Sequence, residues 1–332
     1  MADPSVAQSV SSQALPAPEA LAPVADGEIP PYSATLKPLA VEELADLALH
    51  RPLGYLVARA CYRTVISPDQ LTWASLVVGV SAGAWVLHAA RSGASLAPAG
   101  ALLILSAIVD CSDGQLARMR RTSSTFGRML DGAVDAIVQA AVNAAILSLL
   151  WARHGTEGAA SVAVWTALWA MALWSGVQHT SLYDRYKNLY LRHTHASFDE
   201  DDDDDDVDAD WEAARTRGLS PAAWLRYTMY RPYLRAQRRL LQRVDPAVPG
   251  RFRDMPAHSE AVAARYRASG EALMRAWTWF GIGTHILLCG AALMADRVEW
   301  YILARVLLWN GALITLIPLQ RKASRAFFGA AT

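Results

Sequence analysis

The sequence predicts an all-α, polytopic membrane protein with six transmembrane helices and an N-terminal amphipathic interfacial helix. Three observations lead to this prediction: 53% of the 332 residues are hydrophobic, the chain contains 12 tryptophans, and its apolar residues fall in long runs. A helix that crosses the bilayer core needs about 20 apolar residues. Six segments meet or approach that length, and they are about 71–90, 94–110, 130–152, 159–182, 272–294 and 299–319.

The segment before the first predicted span has two parts. Residues 1–45 are rich in Ala, Pro, Ser and Glu and lack the basic and apolar regions of a signal peptide, so we expect a disordered tail. From Val41 onward, VEELADLALHRPLGYLVARACYRTV has helical spacing with apolar side chains on one side. This pattern is typical of an amphipathic helix at the membrane interface. The membrane domain is therefore predicted to cover residues 46–325.

The basic residues predict the orientation in the membrane. Lys and Arg are concentrated before the first span, between spans two and three, between spans four and five, and after the last span. The opposite loops contain only Arg91, Arg153 and Arg297. The positive-inside rule then puts both termini and the 110–130 segment in the cytoplasm. The Ala-, Arg- and Trp-rich composition is typical of a bacterial plasma-membrane protein, and the formal net charge of zero gives no reason to expect a nucleic-acid partner.

The long predicted cytoplasmic loop, about 185–270, contains two oppositely charged segments. Residues 197–212 include the run DEDDDDDDVDAD, whose like charges repel one another, and we expect this acidic segment to be disordered. It is followed by RYTMYRPYLRAQRRLLQRV, which has basic and apolar faces. This second segment either lies on anionic lipid headgroups or pairs with the acidic run.

Four aspartates lie where the second predicted span ends and the third begins. Asp110 and Asp113 are three residues apart, and Asp131 and Asp135 are four apart, so each pair shares one face of a helix. Four such carboxylates repel one another unless a cation lies between them, and hard oxygen ligands select Mg²⁺, Mn²⁺ or Ca²⁺. Mg²⁺ in turn points to a phosphate-containing substrate. Structural pairs, or a proton relay in a transporter, are the alternatives.

The full spacing is more specific than the four aspartates alone. The segment reads Asp110-x₂-Asp113-Gly114-x₂-Ala117-Arg118-x₈-Gly127-x₃-Asp131-x₃-Asp135. This pattern resembles the signature of the CDP-alcohol phosphotransferase family of integral membrane enzymes. Upstream, SPDQLTWASLVVG (Ser67 to Gly79) resembles the family's entry to the first span, with Asp69 where Asn is usual.

The resemblance implies a reaction in which an acceptor hydroxyl displaces CMP from a CDP-linked donor, building a membrane phospholipid or phosphosphingolipid. It implies a site for Mg²⁺ or Mn²⁺, with two ions expected, held by Asp110, Asp113, Asp131 and Asp135. Asp135 would also act as the general base. The residues expected to bind the donor are Gly114, Ala117, Arg118, Gly127, Pro68 and Thr72. The resemblance further implies a homodimer.

The resemblance leaves the two substrates open. One version uses CDP-diacylglycerol and a soluble alcohol; the other uses CDP-ethanolamine or CDP-choline and a lipid alcohol such as diacylglycerol or ceramide. A phosphorylated soluble acceptor needs converging cations, for which Lys187, Arg192 and Arg305 are the candidates. Two other classes remain as alternatives: a polytopic membrane transporter, and a non-catalytic family relative that acts as a binding protein.

Overall fold

Regular structure in this protein is helical wherever it is described. The structure, a computed structural model, describes residues 28–122, 125–196, 204–217, 223–224 and 226–329. No strand occurs among those residues. The prediction of an all-α protein is therefore confirmed.

The longer helices are numbered in chain order. They are α1 Arg51–Cys61, α2 Pro68–Ser92, α3 Ala97–Arg120, α4 Thr125–His154, α5 Ala159–Thr194, α6 Asp204–Arg217, α7 Arg231–Val244, α8 Glu260–Trp277, α9 Ile282–Met294, α10 Val298–Ala304 and α11 Asn310–Phe328. Several are preceded or followed by 3₁₀ or π-helical turns, at Tyr32–Thr35, Asp46–His50, Gly155–Glu157, Arg226–Tyr230, Phe252–Asp254, Thr278–Phe280 and Arg305–Trp309.

Six segments of the described residues are long and apolar enough to cross a membrane, as the sequence predicts. They are Pro68–Ser92, Ala97–Arg120, Gly127–Glu157, Ala159–Thr194, Glu260–Met294 and Val298–Phe328. The six apolar helices indicate an integral membrane protein. Helices α3, α5 and α11 continue well beyond the predicted apolar cores and end at Arg120, Thr194 and Phe328. The charged residues from Asp110 to Arg120 are consequently helical.

The start of α2 is fixed by a capping box. The Ser67 hydroxyl accepts a hydrogen bond from the backbone N–H of Gln70 at 3.2 Å, and the Gln70 side chain accepts one from the Ser67 N–H at 2.9 Å. Pro68 follows at the first helical position, where its missing N–H costs nothing. The cap therefore sets the position along the helix of Thr72, one turn later.

Small residues allow the helices of the bundle to approach closely. A side-chain carbon added at Gly79 of α2 would lie 2.6 Å from a Val138 methyl of α4 and 2.7 Å from Ser106 Oγ of α3. At the crossing of α3 and α9, a carbon added at Gly100 would lie 2.2 Å from the Gly290 carbonyl oxygen. Glycine at both positions thus lets backbones pack directly, as is common between membrane helices.

Part of the predicted disordered tail is ordered. Residues 1–27 lie outside the described residues, but residues 28–45, which we call the N-terminal strap, pack on the helix bundle. Thr35 and Val41 are fully buried, and Glu42 and Glu43 are 3% and 5% exposed. Composition predicts disorder here because residues 1–45 are rich in Ala, Pro, Ser and Glu. The polar groups of the strap instead find partners on distant helices.

The predicted amphipathic segment is helical from Asp46 to Cys61. Gly54, Ala58 and Cys61 form its buried face, and the carbon that Gly54 lacks would meet Ile108 and Cys111 of α3. The segment is therefore packed on the helix that carries the motif.

Part of the predicted disordered acidic segment is also ordered. Residues 197–203 lie outside the described residues, whereas the remainder belongs to α6. Asp210 pairs with Arg226 at 2.8 Å, and Asp208 pairs with Arg231 and, at 3.4 Å, with Arg235. The basic residues at and before α7 thus offset the like-charge repulsion, and pairing of the two charged segments is the alternative that the structure supports.

We expect Gly100→Ala to destabilise the bundle, because its new methyl group would overlap the Gly290 carbonyl and force α3 and α9 apart. Overpacking of this kind costs roughly 1–3 kcal/mol. The matched control is Gly311→Ala in α11, where nothing lies within 4 Å of the added carbon. Thermal unfolding of the detergent-solubilised protein should show a lower midpoint for Gly100→Ala and an equal or higher midpoint for Gly311→Ala. Equal midpoints for both variants would contradict this close crossing.

The buried Glu43 carboxyl of the strap leads us to expect that the free energy of unfolding depends on pH. The pKa of Glu43 is raised from 4.5 to about 8, chiefly by burial and then by the negative charge of Asp46, although hydrogen bonds from Thr284 lower it. Folding therefore favours protonated Glu43. This stabilisation is complete below the unfolded pKa and is lost as the pH rises through about 8.

We expect the unfolding midpoint to fall by a few degrees between about pH 6 and 9, and to fall less in Glu43→Gln, which keeps an oxygen for Thr284 but carries no charge. Glu212→Gln, at a side chain that is 70% exposed, is the control. Equal pH profiles for Glu43→Gln and the wild type would exclude this role of Glu43.

Candidate metal and nucleotide site

Three of the four motif aspartates form one compact group. Asp110 and Asp113 lie one turn apart on α3, and Asp131 lies on α4. Each offers a carboxylate oxygen, and these three oxygens lie within 4.8 Å of one another. The group exists because α2 packs against both α3 and α4, which brings the end of one span beside the start of the next.

Asp135 lies beside this group but is not one of the three oxygens within 4.8 Å. It follows Asp131 by one turn of α4, a rise of about 6 Å. Its negative charge acts on Asp110, as do the charges of Asp131 and Asp113. The sequence prediction counts Asp135 both as a ligand and as the base, and the geometry distinguishes it from the other three.

The hydroxyl groups of α2 form a second layer around the carboxylates. Thr72, which is 3% exposed, donates a hydrogen bond to Asp113, which is itself 7% exposed. Ser75 lies one turn later, with its hydroxyl 3.5 Å from an Asp110 oxygen. Thr72, expected from the sequence to border the donor pocket, thus also fixes the orientation of a carboxylate.

The three carboxylates fit a divalent metal ion by their chemistry. Oxygens of Asp110 and Asp131 lie within 4.8 Å of each other, an unfavourable arrangement for two ionised carboxylates without a cation or proton between them. Carboxylate oxygens are the ligands that Mg²⁺ and Mn²⁺ prefer. A buried aspartate cluster of this kind can hold such an ion.

Arg118 is held next to the carboxylates by two contacts. Its guanidinium lies over Gly114, where a side-chain carbon would be 3.4 Å from Nη1. Its Nε–H donates a 2.7 Å hydrogen bond to the carbonyl oxygen of Thr35 in the strap. Glycine at position 114 therefore lets the planar guanidinium lie close to the α3 backbone, and a guanidinium is a group that suits a phosphate.

The other three residues predicted to bind the donor lie on α2, α3 and α4. Pro68 opens α2 one turn before Thr72, Ala117 lies between Gly114 and the end of α3, and Gly127 lies in the first turns of α4. Ala117 and Gly127 are thus on the helices that carry the carboxylates, and Pro68 is on the helix that packs against both.

The strap and α1 supply site residues that the sequence prediction missed. The positive charges of Lys37, Arg51 and Arg118 act on Asp131, so two further cations lie near the carboxylates. Gln115 donates hydrogen bonds to Thr35 Oγ1 and to the Arg51 carbonyl, both at 3.1 Å. No local sequence pattern marks these residues, because Thr35 and Gln115 are 80 positions apart.

Four polar residues near the cytoplasmic end predicted for α5 contact different partners. They are His179, Tyr183, Asp184 and Lys187. Lys187 pairs with Asp184 at 2.6 Å, and the charge of Asp184 acts on Asp135. Tyr183 donates to the Val41 carbonyl in the strap at 2.7 Å, and His179 contacts Asn310 at 3.0 Å. Lys187 is therefore engaged by a carboxylate on its own helix.

The three cations suggested for a phosphorylated acceptor do not converge. Arg305 is buried against Gly176 of α5 and contacts the Tyr301 hydroxyl at 3.2 Å. Arg192 stacks on the Phe252 ring, 4.8 Å from its centroid. Gly176 and Arg192 are separated by sixteen residues of one helix, or about 24 Å, and Lys187 lies between them.

Comparison with known proteins agrees with the geometry. A search of curated proteins finds no match to the chain. The family model described as CDP-alcohol phosphatidyltransferase matches residues 65–185, which contain α2, α3, α4 and most of α5. All four aspartates, Thr72 and Arg118 fall inside the match. That family transfers a phosphate-linked group from a CDP-linked donor and depends on a divalent metal. Residues 65–185 of this integral membrane protein are therefore similar to the CDP-alcohol phosphatidyltransferase family.

Proposed function

We propose that the protein catalyses the metal-dependent transfer of a substituted phosphate group from a CDP-linked donor to an acceptor hydroxyl, with release of CMP. The observation that carries the proposal is the group of three carboxylate oxygens within 4.8 Å of one another, inside the segment that matches the family model. The product is a membrane phospholipid or phosphosphingolipid.

The carboxylates of Asp110, Asp113 and Asp131 would hold Mg²⁺ or Mn²⁺, and Asp135 would complete the ligand set for two ions. When bound, the metal supplies positive charge that offsets the donor's diphosphate and the charge on the departing CMP. Thr72 keeps Asp113 oriented toward the metal, and such outer contacts commonly control metal affinity.

The donor lies against α3 and the start of α4. The planar guanidinium of Arg118 donates to a phosphate through two parallel N–H groups, and the missing side chain of Gly114 leaves room for the diphosphate beside it. Ala117 and Gly127 are small enough for the nucleotide to approach the helices. Pro68 and Thr72 border it on the α2 side.

Asp135 acts as the general base. It takes the proton from the acceptor hydroxyl, the acceptor oxygen bonds to the phosphorus of the transferred group, and the bond from that phosphorus to the CMP oxygen breaks. The electron pair of that bond leaves with CMP. Its position beside the three-carboxylate group supports this role, because the base must reach the acceptor while the other carboxylates hold the metal.

The distribution of cations favours an acceptor without a phosphate group. Lys187 is paired with Asp184, and Arg192 and Arg305 lie far apart along α5, so these three do not form a phosphate pocket. Two donor and acceptor pairs fit: CDP-diacylglycerol with an unphosphorylated soluble alcohol, or CDP-ethanolamine or CDP-choline with diacylglycerol or ceramide.

The orientation and assembly are also part of the proposal. The distribution of Lys and Arg supports cytoplasmic termini and a cytoplasmic active site. The Ala-, Arg- and Trp-rich composition supports a bacterial plasma membrane. The resemblance to the family supports a homodimer.

Measurement of CMP release from the three donors, each offered with soluble and lipid alcohols and Mn²⁺ or Mg²⁺, tests the proposal directly. Turnover with CDP-diacylglycerol identifies a soluble acceptor, and turnover with a soluble CDP-alcohol identifies a lipid acceptor. If folded protein releases no CMP from any pair, the transporter and the non-catalytic binding protein become the better descriptions.

We expect Asp135→Asn to reduce kcat for CMP release by roughly 10²–10⁴-fold, because the amide cannot accept the acceptor's proton. The matched control is Asp254→Asn, at a carboxylate that is 59% exposed and far along the chain from the motif. Full turnover in Asp135→Asn would rule out this residue as the base while leaving the family chemistry intact.

We expect Thr72→Val to weaken Mn²⁺ binding by at least about tenfold, because Asp113 loses the hydrogen bond that orients it. Thr72→Ser keeps the hydroxyl and should bind nearly as well as the wild type. Electron paramagnetic resonance of free Mn²⁺ during titration measures binding without turnover. Equal affinities for the Val and Ser variants would show that this hydrogen bond does not support the metal.

A further inference from the structure

The N-terminal strap connects opposite parts of the bundle. Near its start, the Tyr55 hydroxyl of α1 donates to the Pro30 carbonyl at 2.8 Å. Near its end, Glu43 accepts hydrogen bonds from the backbone N–H and the hydroxyl of Thr284, at 2.8 and 3.1 Å, in the first turn of α9. The strap is thus fixed at both ends by specific hydrogen bonds.

Between these ends the strap meets the motif helix. Thr35 is fully buried, its hydroxyl accepts from Gln115, and its carbonyl accepts from Arg118 at 2.7 Å. Gln115 is also fully buried. The guanidinium of Arg118 is therefore oriented by a segment that lies outside the family match.

Lys37 follows Thr35 by two residues and is also held in place. Its backbone N–H donates to Glu42 at 2.8 Å, and Glu42 pairs in turn with Arg51 at 3.2 Å. The side chain of Lys37 is half-buried, and its positive charge acts on Asp131. A lysine two residues from the Arg118 contact and close to a motif carboxylate lies at the edge of the site.

We propose that the strap is part of the CDP-donor site: Lys37 binds the donor's diphosphate, and Thr35 is a positioning residue that orients Arg118. This inference rests on the proposed function. The charges in the site support it. A CDP-linked donor brings a negatively charged diphosphate to a site that already contains four carboxylates, so additional positive charge there favours binding. Lys37 and Arg118 then flank that diphosphate with charge-assisted hydrogen bonds.

Binding of CDP to the full-length protein with Mn²⁺, followed by calorimetry, tests the role of Lys37 without turnover. A charge-assisted hydrogen bond contributes about 1.5 kcal/mol or more, so Lys37→Gln should weaken CDP binding by roughly tenfold or more. Lys37→Arg should keep most of the affinity. Arg59→Gln is the matched control, because it removes one exposed positive charge from the nearby α1.

The outcomes separate this inference from the proposed function. Wild-type affinity in Lys37→Gln, with metal-dependent CDP binding by the wild type, would overturn the role of Lys37 alone. An equal loss in Arg59→Gln would also overturn it, because the effect would then be general electrostatics. If the wild type does not bind CDP with Mn²⁺, the proposed function fails and this inference fails with it.

Steady-state kinetics tests the positioning role of Thr35. Thr35→Val removes the hydroxyl that anchors the strap to Gln115 and should raise KM for the CDP-linked donor several-fold with a smaller change in kcat. Thr35→Ser restores the hydroxyl and should restore KM. An unchanged donor KM in Thr35→Val, in protein with a wild-type unfolding midpoint, would overturn this role.

Discussion

Repulsion among the motif carboxylates is the constraint on which the rest of the structure depends. Three oxygens from Asp110, Asp113 and Asp131 lie within 4.8 Å of one another in two membrane-spanning helices, with Asp135 close by. Ionised groups at such depth are costly unless they have partners. The electrostatic cost of placing these carboxylates together is offset by the surrounding cations and by the hydroxyl groups of α2. A divalent metal ion, which the cluster fits, would offset it further.

The helix packing follows from the same constraint. Carboxylates from α3 and α4 meet only if both helices lie close to α2, and Gly79 permits this by leaving no side chain between Val138 and Ser106. The capping box at Ser67 then fixes the start of α2, so that the Thr72 hydroxyl reaches Asp113. The orientation of the Asp113 carboxylate therefore depends both on the local cap of α2 and on the close packing of α2 with α3 and α4.

The parts of this protein that the sequence predicts are those encoded locally. Six apolar runs predict six spans, and the motif from Asp110 to Asp135 is contiguous, so the helices and their carboxylates are recognisable without a structure. The strap and α6 are different, because their order depends on partners far along the chain. Thr35 is held by Gln115, 80 positions away, and Glu43 by Thr284, 241 positions away. Composition alone predicts disorder for such segments.

The strap also connects the segment that matches the family model to helices outside that segment. The family match ends at residue 185, yet Glu43 is bound to α9 and Arg275 of α8 donates to the Leu39 and Glu42 carbonyls. The same strap accepts the hydrogen bond from Arg118. The strap and its hydrogen bonds consequently connect α8 and α9 to the cation beside the carboxylates. Helices outside the matched segment thereby help to determine the geometry of the site inside it.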